Sequence, residues 1–121
     1  MEFVVTNTIQ VHPKALVRFS ELKDAAAKAE IARLTAAYDD KHKPDCFVDK
    51  LARGFAALCA AVYPQPAILR FSDFKTNEYA RLIGGAEFEL HEESPMLGFR
   101  GASRYYSPRY KEGFALDRRA I

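Results

Sequence analysis

The sequence predicts an α/β fold in which two parallel strands are joined by a long helical crossover. Two short segments rich in β-branched and aromatic residues, 2–6 and 67–73, predict the strands. The long stretch between them shows helical periodicity. Parallel strands need a connection of about a dozen residues or more, so this order predicts a βαβ arrangement within a parallel sheet.

Before Pro64 the sequence predicts one strand and three helices. Pro13 fits the first turn of the first helix, where a proline loses no hydrogen bond, and Ser20 fits the N-cap of the second. The third helix has apolar residues at intervals of three or four, the pattern of a helix that packs on one side. These residues are Phe47, Leu51, Phe55, Leu58 and Val62. The predicted segments are strand 2–6 and helices 14–19, 21–38 and 46–62.

From Pro64 onwards the sequence predicts a strand, a short helix, a loop and a final helix. Alternation along the strand places Ile68, Arg70 and Ser72 on one face, and Leu69 and Phe71 on the other. Two glycines end the short helix, and a Ser-Pro pair begins the last one. The predicted segments are strand 67–73, helix 77–83 closed by Gly84 and Gly85, an irregular acidic stretch 86–94, loop 95–101, and a helix from Ser107 to the chain end.

Composition limits the classes of protein that fit. The length of 121 residues predicts a single domain. A net charge of +2, with both signs interleaved, argues against a nucleic-acid partner. Cys46 and Cys59 form no CxxC motif, so we expect apolar core residues, no disulfide or metal site, and a cytoplasmic location. No apolar run approaches ~18 residues and no signal peptide is evident, so we expect no membrane span.

Two arginines carry the main functional signal. Arg70 lies near the end of the second predicted strand, and ligands of parallel α/β folds bind beyond the carboxyl ends of strands. Arg100 precedes Gly101, which permits close approach to the backbone. A guanidinium donates two parallel hydrogen bonds to a phosphate or carboxylate and stays charged. The alternatives are an ion pair of Arg70 with Asp73 and a solvated Arg100.

The remaining polar residues give weaker signals. Four of them accompany the two arginines as supporting candidates: Asp73, Lys75, Asn77 and Glu78. The histidines are scattered, and we expect His12 and His42 at the surface, with His91 no better as a catalytic candidate. The acidic residues of 87–93 fit a solvated loop better than a metal site, and no glycine-rich phosphate loop is present.

Two blocks of the sequence resemble a known family. Residues 68–85, which contain Arg70, and residues 92–105, which contain Arg100, closely resemble the phosphoenolpyruvate synthase (pyruvate, water dikinase) family, and 2–5, 11–16 and 114–116 also match. The resemblance implies that residues 1–121 are part of a (β/α)8 TIM barrel, the C-terminal domain that binds phosphoenolpyruvate or pyruvate in PEP-utilising enzymes. It also implies that Arg70 and Arg100 hold the phosphate and carboxylate of phosphoenolpyruvate.

The same resemblance implies that much of the parent chemistry lies elsewhere. The parent family uses Mg²⁺, whose Glu and Asp ligands, like the acid cysteine, belong to later strands, and a phosphohistidine on another domain. We therefore expect the isolated chain to bind no metal and to be inactive. Small departures from the family pattern occur at Ser94, Gly113 and 117–119.

A barrel of this kind takes ~250 residues, so two strands would leave open edges. We expect a fragment that self-associates through those edges and does not melt cooperatively as a monomer. The alternative is a non-catalytic module, or an oligomerising remnant, that binds small phosphorylated carboxylates.

Overall fold

Helices make up almost all of the regular secondary structure. The computed structural model describes all 121 residues. The helices are α1 (Glu2–Val4), continued by a π-helical turn (Val5–Ile9), α2 (Pro13–Val17), α3 (Ala25–Leu34), α4 (Lys43–Val62), α5 (Thr76–Ala80), α6 (Ala102–Tyr106) and α7 (Lys111–Ala120). Short 3₁₀ turns occur at Phe19–Glu21, Gly85–Glu87 and Pro95–Leu97. None of these helices has the length and apolar character needed to cross a membrane.

The structure contains no sheet, so the predicted fold class is wrong. Residues 2–6 are helical, and residues 67–73 have no regular secondary structure. The one β pairing is an isolated parallel bridge between Val11 and Ile83. The two parallel strands, and with them the partial (β/α)8 barrel, are therefore not observed.

The N-terminal segment is helical because its backbone finds hydrogen-bond partners locally. The N–H of Val5 donates to the C=O of Met1 at 3.2 Å. No backbone–backbone hydrogen bond joins the segment to residues 67–73; instead, the Glu2 carboxylate accepts the N–H of Asp73 at 2.9 Å. Strand preference depends on packing against a partner strand. Without such a partner, helical turns satisfy the backbone groups that a sheet would otherwise pair.

The structure contains a helix in each segment where the sequence predicts one, but most of the helices begin or end at other residues. Helix α4 includes the whole of predicted helix 46–62 and begins three residues earlier. Helix α3 is shorter than predicted, and its N-cap is Asp24, whose side chain accepts the N–H groups of Ala26 and Ala27. Ser20 lies in a 3₁₀ turn instead. Ser107 ends α6 and does not cap α7.

The core forms where α4 packs against α2, α7 and the N-terminal helical turn. Phe47, Leu51 and Phe55 from the predicted apolar stripe are buried in it. Gly54 permits the close approach of α1, because a Cβ at this position would crowd the side chain of Val4. Eighteen buried apolar side chains form one continuous cluster, which indicates a single packed unit.

The second half of α4 projects away from this core. Every residue from 56 to 68 is exposed, and none of them is charged. Leu58 and Val62, the last two residues of the predicted stripe, are 55% and 44% exposed, so their predicted burial was wrong. Cys59 is exposed as well, whereas Cys46 is buried as expected. We call residues 56–68 the uncharged arm.

One carboxyl group lies in the core without a partner. Asp117, on α7, is 1% exposed, and its Oδ2 makes no hydrogen bond. Burial raises the pKa of Asp117 to about 7; the negative charge of Glu2 adds to the effect, and the N-terminal amine opposes it. Burial, together with the charge of Asp117, also raises the pKa values of Tyr79 and Tyr110. Asp117 is therefore largely a neutral acid below pH 7.

Candidate functional site

Arg70 and Arg100 line the same cleft, a cavity of about 440 Å³. Its walls come from the start of α1, from the irregular segment before α5, from the first turns of α5, and from the loop before α6. The lining residues are Glu2, Arg70, Asp73, Phe74, Lys75, Glu78, Met96 and Arg100. The structure thus brings together side chains that are up to 98 positions apart in sequence.

Arg100 is held in a defined orientation by Asp73. Its Nη2 lies 2.9 Å from Asp73 Oδ2, and its Nε lies 3.2 Å from Asp73 Oδ1. The hydrogen bond from Arg100 lowers the pKa of Asp73, so this carboxyl is ionised at neutral pH. Gly101 has φ 57° and ψ −138°, a conformation that is almost confined to glycine, and this turn directs the chain away after Arg100.

Arg70 is far more accessible. Its side chain is 76% exposed, and its Nη2 makes one hydrogen bond, to Glu2 Oε1 at 3.2 Å. Burial alone would raise the pKa of Glu2, but the N–H of Asp73 and nearby positive charges outweigh this and lower the pKa. The ion pair of Arg70 with Asp73, considered above as an alternative, is replaced by two pairs, Arg70 with Glu2 and Arg100 with Asp73.

The supporting candidates divide into two groups. Asp73, Lys75 and Glu78 line the cleft, whereas Asn77 is exposed and lines a neighbouring cavity. Glu78 also accepts the N–H of Lys75 at 2.8 Å and so caps the start of α5. The cleft carries three positive and three negative side chains, so its charges are balanced by its own carboxylates.

A buried ionic cluster that the sequence did not predict contacts Phe99, the residue before Arg100. The guanidinium of Arg104 donates to both oxygens of Glu89, at 2.6 and 2.7 Å, and the two side chains are 1% and 4% exposed. His12 Nε2 lies 2.9 Å from Glu89 Oε1, and His12 Nδ1 accepts the N–H of Lys14, which caps α2. Nδ1 is an acceptor here, so Nε2 carries the proton and donates to Glu89.

His12 was therefore wrongly placed at the surface, since it is fully buried. Burial lowers the pKa of His12 even though the hydrogen bond with Glu89 opposes this, so the ring is neutral at pH 7. The position of His12 just before Pro13, as an N-cap of α2, is the signal that could have identified its structural role.

The Mg²⁺ of the parent family is expected to bind residues outside this chain, and that expectation stays a prediction. No three side chains among the histidines, cysteines, aspartates and glutamates come together as a set of ligands. The carboxylates of the cleft are already engaged, Glu2 with Arg70 and Asp73 with Arg100. No metal-dependent step is derived from these residues.

Comparison with known proteins identifies the family. Residues 20–121 match the family described as PEP-utilising enzyme, PEP-binding domain. Over the whole chain, the sequence is 55% identical to a phosphoenolpyruvate synthase of Synechocystis, 51% to one of Neisseria meningitidis, and 43% to one of Escherichia coli. The chain spans 15% of the length of each of these relatives. These matches confirm the resemblance in the sequence, and the chain belongs to the PEP-utilising enzymes as a segment related to their PEP-binding domain.

Proposed function

We propose that this chain is the phosphoenolpyruvate-binding segment of a phosphoenolpyruvate synthase, and that Arg70 and Arg100 bind the phosphate and carboxylate of the ligand. The observation that carries the proposal is that both arginines, together with Lys75, line one cleft. The relatives named above, which match the chain from end to end, support it. A cytoplasmic location follows from this assignment.

The two arginines differ in a way that suits a bifunctional ligand. Arg100 is oriented by Asp73 and offers a fixed fork of donors. Arg70 is exposed and weakly held, so it can close over a ligand after releasing Glu2. Pyruvate has only the carboxylate, so it engages one of these two positions. A cleft of about 440 Å³ falls within the usual range of small-molecule sites.

In the parent reaction, ATP, pyruvate and water give AMP, phosphate and phosphoenolpyruvate. Arg70 and Arg100 would bind pyruvate and phosphoenolpyruvate and neutralise the charge of the carboxylate and of the transferred phosphoryl group. His12, being buried and neutral within a hydrogen-bonded cluster, is unsuited to carry a phosphoryl group. We therefore expect no pyruvate-dependent ATP consumption by the chain alone, and detectable turnover would contradict this.

Binding can be tested by titrating the ¹⁵N-labelled chain with phosphoenolpyruvate and following amide shifts. Arg70→Ala and Arg100→Ala should each weaken binding by roughly ten- to a hundredfold, since a hydrogen bond to a charged group contributes about 1.5–3 kcal/mol. Arg33→Ala is the matched control, because Arg33 is also an exposed arginine with one carboxylate partner, Glu30, but lies on α3 outside the cleft. No saturable shift at millimolar ligand, or equal affinity in all variants, would refute the proposal.

A further inference from the structure

We propose that Glu92 and Arg104 are positioning residues for Arg100: together they hold the backbone of Phe99 from both sides and so fix where the next residue enters the cleft. The inference rests on the function proposed above and extends it to residues that do not line the cleft.

Glu92 links two walls of the cleft. Its Oε2 accepts a hydrogen bond from Thr76 Oγ1 at 2.6 Å, and its Oε1 accepts the N–H of Phe99 at 2.9 Å. Thr76 is the first residue of α5, directly after Lys75. Gly98 is required for this contact, because a Cβ there would overlap with the Glu92 carboxylate. One side chain therefore connects the start of α5 to the loop that carries Arg100.

Arg104 holds the other side of Phe99. Its Nε and Nη2 donate to the C=O of Phe99 at 3.2 and 3.1 Å. The guanidinium also lies over the rings of Tyr79 and Phe99, at 4.3 and 4.5 Å from their centroids. The two hydrogen bonds from Arg104 to Glu89 fix the orientation of the guanidinium plane, and in this orientation Arg104 reaches the C=O of Phe99.

The consequence for Arg100 is preorganisation. A long arginine side chain loses rotamer and backbone freedom when it binds a ligand. The N–H and the C=O of Phe99 are both held, so the backbone part of that loss has already occurred in the free chain. The hydrogen bonds from Thr76 and Phe99 lower the pKa of Glu92, so it is an ionised acceptor at neutral pH.

Glu92→Ala is the more informative variant. Arg104→Ala would leave the buried carboxylate of Glu89 without its arginine partner and so would threaten the fold itself. Glu92 is only half-buried, and its loss removes both links without leaving a buried charge. Glu93→Ala is the matched control, because it removes the same charge from the adjacent, exposed position. Arg104→Lys tests the second contact while retaining the positive charge.

The first measurement needs no ligand. In Glu92→Ala, amide hydrogen exchange at Phe99 should rise by roughly tenfold or more, as expected for a lost hydrogen bond to a charged acceptor. The Arg100 Nε–H resonance should broaden or shift, and Glu93→Ala should leave both signals unchanged. Unchanged exchange and an unchanged Arg100 resonance in Glu92→Ala would overturn the inference, whether or not the chain binds phosphoenolpyruvate.

The second measurement is a double-mutant cycle on phosphoenolpyruvate affinity. Glu92→Ala should weaken binding by roughly tenfold, about 1.4 kcal/mol, and this effect should disappear in the Arg100→Ala background. Arg104→Lys should act in the same direction. An undiminished effect without Arg100 would show a general structural role and overturn the inference. Failure of the unsubstituted chain to bind would refute the proposed function alone, and the exchange data would then decide the positioning role.

Discussion

The unpartnered carboxyl of Asp117 makes a prediction about stability and pH. The pKa of Asp117 is about 7 in the folded chain, compared with an ordinary value of 3.8. Below pH 4 the group is protonated in both folded and unfolded chains. Between pH 4 and pH 7 the unfolded chain loses the proton while the folded chain keeps it, so rising pH favours unfolding. Above pH 7 Asp117 is ionised in both the folded and the unfolded chain, so its destabilising contribution no longer changes with pH.

The size of the effect follows from the two pKa values. At about 1.36 kcal/mol for each unit of pKa, the free energy of unfolding should fall by roughly 4 kcal/mol across this window. Asp117→Asn removes the titration and keeps the size of the side chain. The amide of the variant is buried without hydrogen-bond partners, as the carboxyl is, and the resulting cost of about 1–3 kcal/mol does not change with pH. The variant should therefore gain stability relative to the parent as pH rises.

The assay is urea unfolding followed by circular dichroism at a series of pH values from 4 to 8. The informative quantity is the difference in unfolding free energy between Asp117→Asn and the parent chain. Asp40→Asn, which removes a carboxylate that is 80% exposed, should retain the Asp117 contribution. The reasoning would be refuted if the unfolding free energies of the parent and Asp117→Asn changed in parallel with pH. It would also be refuted if the parent became more stable relative to the variant between pH 5 and 7.

Three further outcomes are expected from the packing. Leu51→Ala, at a fully buried site on α4, should cost about 2–5 kcal/mol in chemical unfolding, whereas Leu58→Ala, on the uncharged arm, should cost much less. Glu89→Gln should cost about 3–5 kcal/mol, because it leaves the charge of Arg104 buried without its partner. Burial alone would raise the pKa of Glu89, but hydrogen bonds from His12 and Arg104 lower it. The difference in unfolding free energy between the parent and Glu89→Gln should therefore shrink as the pH falls through the acid range and Glu89 is protonated. The accessible surface of the chain is 7363 Å², roughly 800 Å² more than expected for a compact monomer of 13.6 kDa. This excess equals about one partner's share of a standard protein–protein interface. Sedimentation velocity should therefore show self-association, and Leu58→Lys should weaken it.

The fold could be predicted from the sequence only where local pattern is decisive. The stripe of α4 correctly identified Phe47, Leu51 and Phe55 as core residues. It failed at Leu58 and Val62, because periodicity shows which face of a helix is apolar but not whether another element reaches it. Residues 68–71 keep the predicted alternation, with Ile68 and Arg70 exposed, yet they form no strand. A strand needs a partner backbone, and a single segment carries no information about that partner.

The candidate site also divides into residues that the local sequence predicts and contacts between residues distant in sequence, which it does not predict. Arg70, Arg100 and four supporting residues were predicted from the sequence, and all of them except Asn77 line one cleft. Glu2 was not recognised, because it pairs with a residue 68 positions away. The Arg104 cluster was missed because its histidine, glutamate and arginine are scattered through the sequence and meet only in the folded chain.

We expect the balanced charges of the cleft to determine how it discriminates among anions. Glu2 already pairs with Arg70, and Asp73 orients Arg100, so under the proposed function a ligand anion reaches Arg70 by exchange with Glu2 while Asp73 stays in place. The Glu2 carboxylate is tethered, and its effective concentration favours it over dissolved monovalent ions such as chloride. A ligand with two anionic groups offsets the loss of Glu2, because its second group binds Arg100. The cleft should therefore discriminate among solutes first by the number of charges that they carry.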